Sequence, residues 1–158
     1  LKAMDTPVKL KISDGSFEWR LPNGDLHRED GPAVIFPNGQ QRWYQNNDLH
    51  RIDGPAIILP NGDMRWYQYD KLHRTDGPAI AIPNGDIRWC LHGLLHREDG
   101  PAVILSNGIK RWCKHGNMHR TDGPAVIGSD GSMEYWIDGV QYDPVTFLIK
   151  RYEYVTTN

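Results

Sequence analysis

The sequence predicts an all-β fold, an elongated single-sheet array of about six tandem antiparallel hairpins closed by a short C-terminal capping helix. Three observations carry this. The block Leu26-His27-Arg28-Glu29-Asp30-Gly31-Pro32-Ala33 returns from Leu49, Leu72, Leu95 and Met118, each time 23 residues on and without insertion or deletion. Between these blocks lies a second signature, Pro37-Asn38-Gly39 followed by Arg42-Trp43. It is echoed by Pro60-Asn61-Gly62 with Arg65-Trp66, Pro83-Asn84-Gly85 with Arg88-Trp89, and Ser106-Asn107-Gly108 with Arg111-Trp112. Finally, sixteen Gly and eleven Pro beside six Trp and seven Tyr describe short aromatic-rich strands with frequent turns, not a disordered chain.

Residues 1–25 read as an N-terminal capping hairpin. Val8-Lys9-Leu10-Lys11-Ile12 alternates, Ser13-Asp14-Gly15-Ser16 turns, and Phe17-Glu18-Trp19 alternates back. Trp19 stands one position early against the later units, with Arg20 in the expected place, so a bulge or altered turn is expected there. Residues 26–142 hold five tandem repeats. In each, an apolar run such as Ala33-Val34-Ile35-Phe36 meets Asn-Gly, read as a tight turn with positive φ at both positions. The strand Gln41-Arg42-Trp43-Tyr44-Gln45 returns, and a longer loop leads to the next unit. A helical period does not fit, because Gly-Pro and Asn-Gly interrupt each unit. In the last unit Asp130-Gly131 begins the turn and Tyr135-Trp136 replaces Arg-Trp. Residues 143–158 form a capping helix and tail, with Asp143 as N-cap and Pro144 at the first helical position. Val145, Leu148, Ile149 and Tyr152 are expected to cover the open sheet edge, as repeat arrays require.

Charge is nearly balanced, 18 basic against 20 acidic side chains, so no global field draws in nucleic acid and no nucleic-acid partner is expected. No run of 18 apolar residues exists, so no membrane span is expected. Leu1 to Pro7 lack a basic n-region and an apolar h-region, so no signal peptide is expected either. Cys90 and Cys113 occupy equivalent positions in adjacent repeats, about 9.5 Å apart by strand spacing. That exceeds disulfide reach, so both are expected to be reduced, which suits a cytoplasmic protein.

The stretch Trp43-Tyr44-Gln45-Asn46-Asn47-Asp48-Leu49-His50 through Gly54 resembles the MORN-type repeat, a 23-residue β-hairpin unit. Trp89-Cys90-Leu91-His92-Gly93-Leu94-Leu95-His96 through Gly100 repeats the likeness, which covers roughly residues 8–142. The usual His-Gly-x-Gly becomes His-Arg-x-Asp-Gly-Pro, similar to a divergent variant of bacteria, phages and large viruses. The resemblance implies an extended, slightly curved β-rod used for protein contacts or dimerisation, sometimes for lipid association. It implies no reaction.

His27, His50, His73, His96 and His119 form a column. Neighbours in such a column lie about 9.5 Å apart, whereas ligand atoms around one zinc ion sit only about 3–4 Å from one another. A structural role is expected, each ring packing under the next hairpin, with no metal and no cofactor. Arg28 with Asp30, and the copies Arg51/Asp53, Arg74/Asp76, Arg97/Asp99 and Arg120/Asp122, read as structural staples. In that reading Asp closes the Asp-Gly-Pro turn through its own backbone, Gly takes a special φ, and Arg grips a neighbouring carboxylate or carbonyl.

Trp43, Trp66, Trp89 and Trp112 are expected to stack in a core with Val34, Ile57, Ile80 and Val103. Arg42, Arg65, Arg88 and Arg111 should then stand on the opposite face, flanked by Tyr44 and Tyr67. Nine of the eleven arginines occupy only two repeat positions. The Arg42 column is the candidate binding row, for charged hydrogen bonds and stacking. Its bland alternative is cross-strand pairing with Asp48, Asp63 or Asp86, or simple solvation.

No nucleophile elbow, phosphate loop or metal motif is present. The expected function is a non-enzymatic protein–protein interaction scaffold with a protein partner. The alternatives are a small-ligand binder for an anionic nucleotide or glycan on the Arg/Tyr face, or a phage or viral inhibitor of a host defence protein. Self-association through an open sheet edge or aromatic face is a further expectation.

Overall fold

The computed structural model describes residues 5–158. The first four residues of the N-terminal capping segment lie outside the described residues. Strands β1 (Val8–Lys11) and β2 (Phe17–Arg20) form the first hairpin, in the register Val8 to Arg20. Each repeat then supplies four two-residue strands. The first set is β3 (Val34–Ile35), β4 (Gln41–Arg42), β5 (Tyr44–Gln45) and β6 (Asp48–Leu49). The second is β7 (Ile57–Ile58), β8 (Met64–Arg65), β9 (Tyr67–Gln68) and β10 (Lys71–Leu72). Next come β11 (Ile80–Ala81), β12 (Ile87–Arg88), β13 (Cys90–Leu91) and β14 (Leu94–Leu95). The fourth set is β15 (Val103–Ile104), β16 (Lys110–Arg111), β17 (Cys113–Lys114) and β18 (Asn117–Met118). The chain ends in β19 (Val126–Ile127), β20 (Met133–Ile137), β21 (Val140–Tyr142) and helix α1 (Pro144–Thr157).

Thirteen strands build one antiparallel sheet, in the order β1-β2-β3-β4-β7-β8-β11-β12-β15-β16-β19-β20-β21. The 18.1 kDa chain exposes 9422 Å², against roughly 8,100 Å² for a compact monomer of that mass. The elongated hairpin array is therefore the fold. No helix among the described residues is long and apolar enough to cross a membrane.

The turns differ from expectation. At Pro37-Asn38-Gly39 the Phe36 N–H donates to the Gln40 carbonyl and the Gly39 N–H to the Phe36 carbonyl. Only Gly39 has positive φ (88°). This is a three-residue loop, a type I turn followed by a left-handed Gly. The Asn38 side chain accepts from the Gln40 N–H and so needs no positive φ itself. Two-residue turns with positive φ at both positions lie instead in what was expected to be a returning loop. They are Asn46-Asn47, Tyr69-Asp70, His92-Gly93, His115-Gly116 and Asp138-Gly139. The first four join β5 to β6, β9 to β10, β13 to β14 and β17 to β18, small two-stranded hairpins outside the main sheet. Each full unit thus carries two hairpins.

At Trp19 the altered turn is present. Leu21 and Asp25 close a longer Pro22-Asn23-Gly24 loop, which absorbs the extra residue. The Trp19 N–H still donates to the Ala33 carbonyl, as Trp43 does to Ala56.

The core is a file of small residues. Ala33, Ala56, Ala79, Ala102 and Ala125 are fully buried beside Val34, Ile57, Ile80, Val103 and Val126. Each Ala lies where the loop enters the sheet. The Ala56 carbonyl accepts from the Trp43 N–H while its own N–H donates to the Arg65 carbonyl. Two neighbouring strands close on it and leave it no exposed surface. The tryptophans are only half-buried.

Register also corrects which face carries what. Val34 stands opposite Arg42, Arg42 opposite Ile57, and Ile57 opposite Arg65. Directly opposed residues of an antiparallel pair project to the same side. The arginines therefore share a face with the Val/Ile file instead of opposing it.

The helix starts as expected, with the Asp143 carboxylate accepting from the Val145 and Thr146 N–H groups. Its covering face does not. Val145, Leu148, Ile149 and Tyr152 are exposed, and Phe147 alone is buried. The Phe147 ring packs 4.8 Å from that of Tyr135. Glu134-Tyr135, not Tyr135-Trp136, occupies the Arg-Trp place, because Glu134 pairs with Val126 as Arg111 pairs with Val103.

Candidate functional site

Three recurring constellations stand out. The first is the staple. Arg74 Nε donates to Asp76 Oδ1 at 2.9 Å and Nη1 to the Pro78 carbonyl at 3.2 Å, while Cζ lies 4.0 Å from the centroid of Trp66. The same triple contact joins Arg28, Asp30, Pro32 and Trp19, and Arg51, Asp53, Pro55 and Trp43. It recurs at Arg97, Asp99, Pro101 and Trp89, and at Arg120, Asp122, Pro124 and Trp112. A delocalised planar cation with a fork of donors suits this place, since it can stack and hydrogen-bond at once.

Residue by residue, the staple differs from expectation. The chief partner of the Asp carboxylate is the Arg guanidinium, with its own backbone N–H a weaker one. That carboxylate points to solvent and accepts a hydrogen bond from Arg Nε, which, aided by the Arg charge, holds Asp30, Asp53, Asp76 and Asp99 below the usual carboxylate range. Asp122 is lowered first by its hydrogen bond from Arg120. Gly is needed for space, not for φ. A Cβ at Gly77 would lie 2.6 Å from Arg74 Cζ, and one at Gly54 would lie 2.7 Å from Arg51 Cζ.

The second constellation is the imidazole file. Nδ1 of His27 accepts from the Asn46 N–H at 3.1 Å, and Nδ1 of His73 from the His92 N–H at 3.1 Å. His50, His96 and His119 accept likewise from Tyr69, His115 and Asp138. Each donor is the first residue of the next two-residue turn, so each ring ties one small hairpin to the following one. An Nδ1 that accepts leaves Nε2 to carry a ring proton, although at His119 the same Nδ1 also lies 2.8 Å from Asp138 Oδ1. Rings pack at a tilt across the same junction at His50–Tyr69, His73–His92 and His96–His115. Among the described residues no three His, Cys, Asp or Glu side chains are grouped to hold a metal ion. Cys90 and Cys113 are free and buried, and burial pushes both thiols up.

The third is the arginine line. Following register across the sheet gives Glu18, Val34, Arg42, Ile57, Arg65, Ile80, Arg88, Val103, Arg111, Val126 and Glu134, one residue per strand. Four cations alternate with buried aliphatics, and a carboxylate closes each end. Arg65 is committed to the buried Asp63 through Nε at 3.3 Å and Nη2 at 3.0 Å. Arg42 stands 5.1 Å from the Phe36 ring. Asp86 accepts from the Ser106 N–H and feels the Arg88 charge only at longer range, and neither Arg88 nor Arg111 has an ion pair among the described residues. Tyr44 and Tyr67 belong to the small hairpins and are half-buried.

Concave surface lies elsewhere. Clefts of about 660 Å³ and 730 Å³ open between successive staples, one at Arg28, Trp43 and Asp53 and the other at Arg97, Trp112 and Asp122. None of the line arginines borders them.

Sequence reasoning missed the Arg–Trp stacks, the buried alanines, the paired positive-φ turns and the terminal glutamates. The His-Gly and Asp-Gly copies of those turns were a readable signal. In two other units the same place holds Asn-Asn and Tyr-Asp, which disguised it. Compared with known proteins, the chain matches no family model and no curated protein.

Proposed function

We propose that the chain is a non-enzymatic, MORN-type interaction scaffold of the cytoplasm whose arginine line grips an acidic face of a protein partner. The supporting observation is that Arg88 and Arg111, held in the line by register, have no ion pair among the described residues. Successive line arginines are two strands apart, about 9.5 Å. Helical residues seven apart rise about 10.5 Å along one face, so an acidic helix fits this row. Aliphatic side chains between the cations give the contact an apolar component as well. A small anionic ligand has less support, because the clefts and the line are separate.

The test is affinity capture with the whole chain from its native source, followed by binding measurements with the recovered partner. Arg88→Ala combined with Arg111→Ala should weaken binding at least about tenfold and flatten its salt dependence, with melting unchanged. Binding indifferent to both changes would overturn the reading.

A further inference from the structure

Helix α1 turns its apolar side away from the sheet. Val145 is 72 % exposed, Leu148 60 %, Ile149 58 %, Tyr152 71 % and Val155 63 %. Phe147 points inward, and His119 meets Tyr154 at 5.1 Å, so the helix docks by the opposite flank. Lys150 pairs with Glu153 at 2.9 Å. No charged residue interrupts the outward row.

Val145, Leu148, Tyr152 and Val155 are spaced 3, 4 and 3 residues apart, the a and d positions of a heptad, with Ile149 at e. A helix that merely caps a sheet needs no second apolar stripe. This one has a stripe suited to another helix.

We propose that α1 is a homodimerisation helix, pairing with α1 of a second copy of this chain in an antiparallel two-helix seam. Antiparallel coiled coils set a against d, so the twofold axis matches Val145 with Val155 and Leu148 with Tyr152. The row is thus complementary to itself, small with small and large with intermediate, and the helix dipoles oppose. Side chains this exposed each offer on the order of 100 Å². Two copies of the row together cover about 1,000–1,200 Å², the lower bound for a specific stable interface. This surface lies on α1, past the last strand of the arginine line, and does not depend on the partner proposed for that line.

The experiment measures solution mass against concentration for the whole chain, by light scattering and sedimentation equilibrium. The expected result is reversible conversion between 18.1 kDa and twice that mass. Leu148→Glu should raise the dimer dissociation constant at least about 100-fold, and Tyr152→Lys should do the same. Both residues are exposed, so the monomer's melting should not move. Mixing the two variants should restore a mixed dimer, since the axis sets position 148 against 152. As a second measurement, a mixture of Leu148→Cys and Tyr152→Cys chains should crosslink on oxidation. A chain that stays monomeric overturns the proposal, as does a dimer that survives both charge changes. Binding of α1 to anionic phosphatidylserine vesicles without any dimer also overturns it and assigns the stripe to a lipid surface.

Discussion

Arg74 and Trp66 flank the β9–β10 hairpin, and the guanidinium lies 4.0 Å from the indole centroid, closing the hairpin's two ends on each other. Gly77 forms the other wall of this sandwich. Gly77→Ala should therefore lever Arg74 off Trp66 and lose its hydrogen bonds, costing about 1–2 kcal/mol. Denaturant unfolding followed by tryptophan fluorescence checks this. Arg74→Lys should cost a similar amount, because an ammonium cannot stack and fork together.

The junction at His73 gives a pH dependence. Burial first, and the neighbouring His92 second, hold His73 below the usual histidine range. As pH falls past about 6.5 the unfolded chain takes up the proton before the folded one does. This contribution is therefore complete above that pH and is lost as pH drops toward the folded value. Melting temperature should decline over that window, and His73→Asn should flatten the decline while keeping an acceptor for the His92 N–H.

The staple aspartates lose their contribution in the same direction, but in a more acidic window. Asp76 is lowered by its hydrogen bond from Arg74, then by the Arg charge. Its contribution is present above about pH 3.9 and is lost as pH falls through the folded value. A carboxylate NMR titration should find Asp76 low in the native chain and restored toward the ordinary range in Arg74→Gln.

Two arginines of the same line should behave differently. Arg65→Ala strands the buried Asp63 and should destabilise the chain by about 1–2 kcal/mol. Arg111→Ala breaks no ion pair among the described residues and should change stability by less than about 0.5 kcal/mol. Parallel thermal melts separate the two.

Because each unit contacts chiefly its neighbours, one can be removed. Deleting residues 80–102 joins Ala79 to Val103, a position equivalent to Ile80. The shortened chain should fold with the same circular dichroism per residue and a somewhat lower melting temperature.

The 23-residue period made the fold legible, since a strict repeat with a turn signal in every unit leaves few alternatives. Three things stayed hidden. Asn38-Gly39 alone favours a two-residue turn, yet Pro37 before it sets up a type I turn instead. The Arg–Trp stacks depend on a loop folding back over the sheet, and strand alternation says nothing about that. By sequence the outward stripe of α1 reads as its docking face, because apolar residues outnumber others there. The sheet end instead needed one bulky ring, Phe147, in the place over Tyr135 that an arginine takes over tryptophan elsewhere.

The links from His27 to Asn46, His50 to Tyr69 and onward each join residues 19 positions apart, always forward along the chain. During synthesis every imidazole must wait for a turn that the ribosome has not yet delivered. The rod can then set in the order in which it is made, one hairpin behind the growing point. A pause in translation leaves one ring unlatched, while everything upstream of it is already fastened.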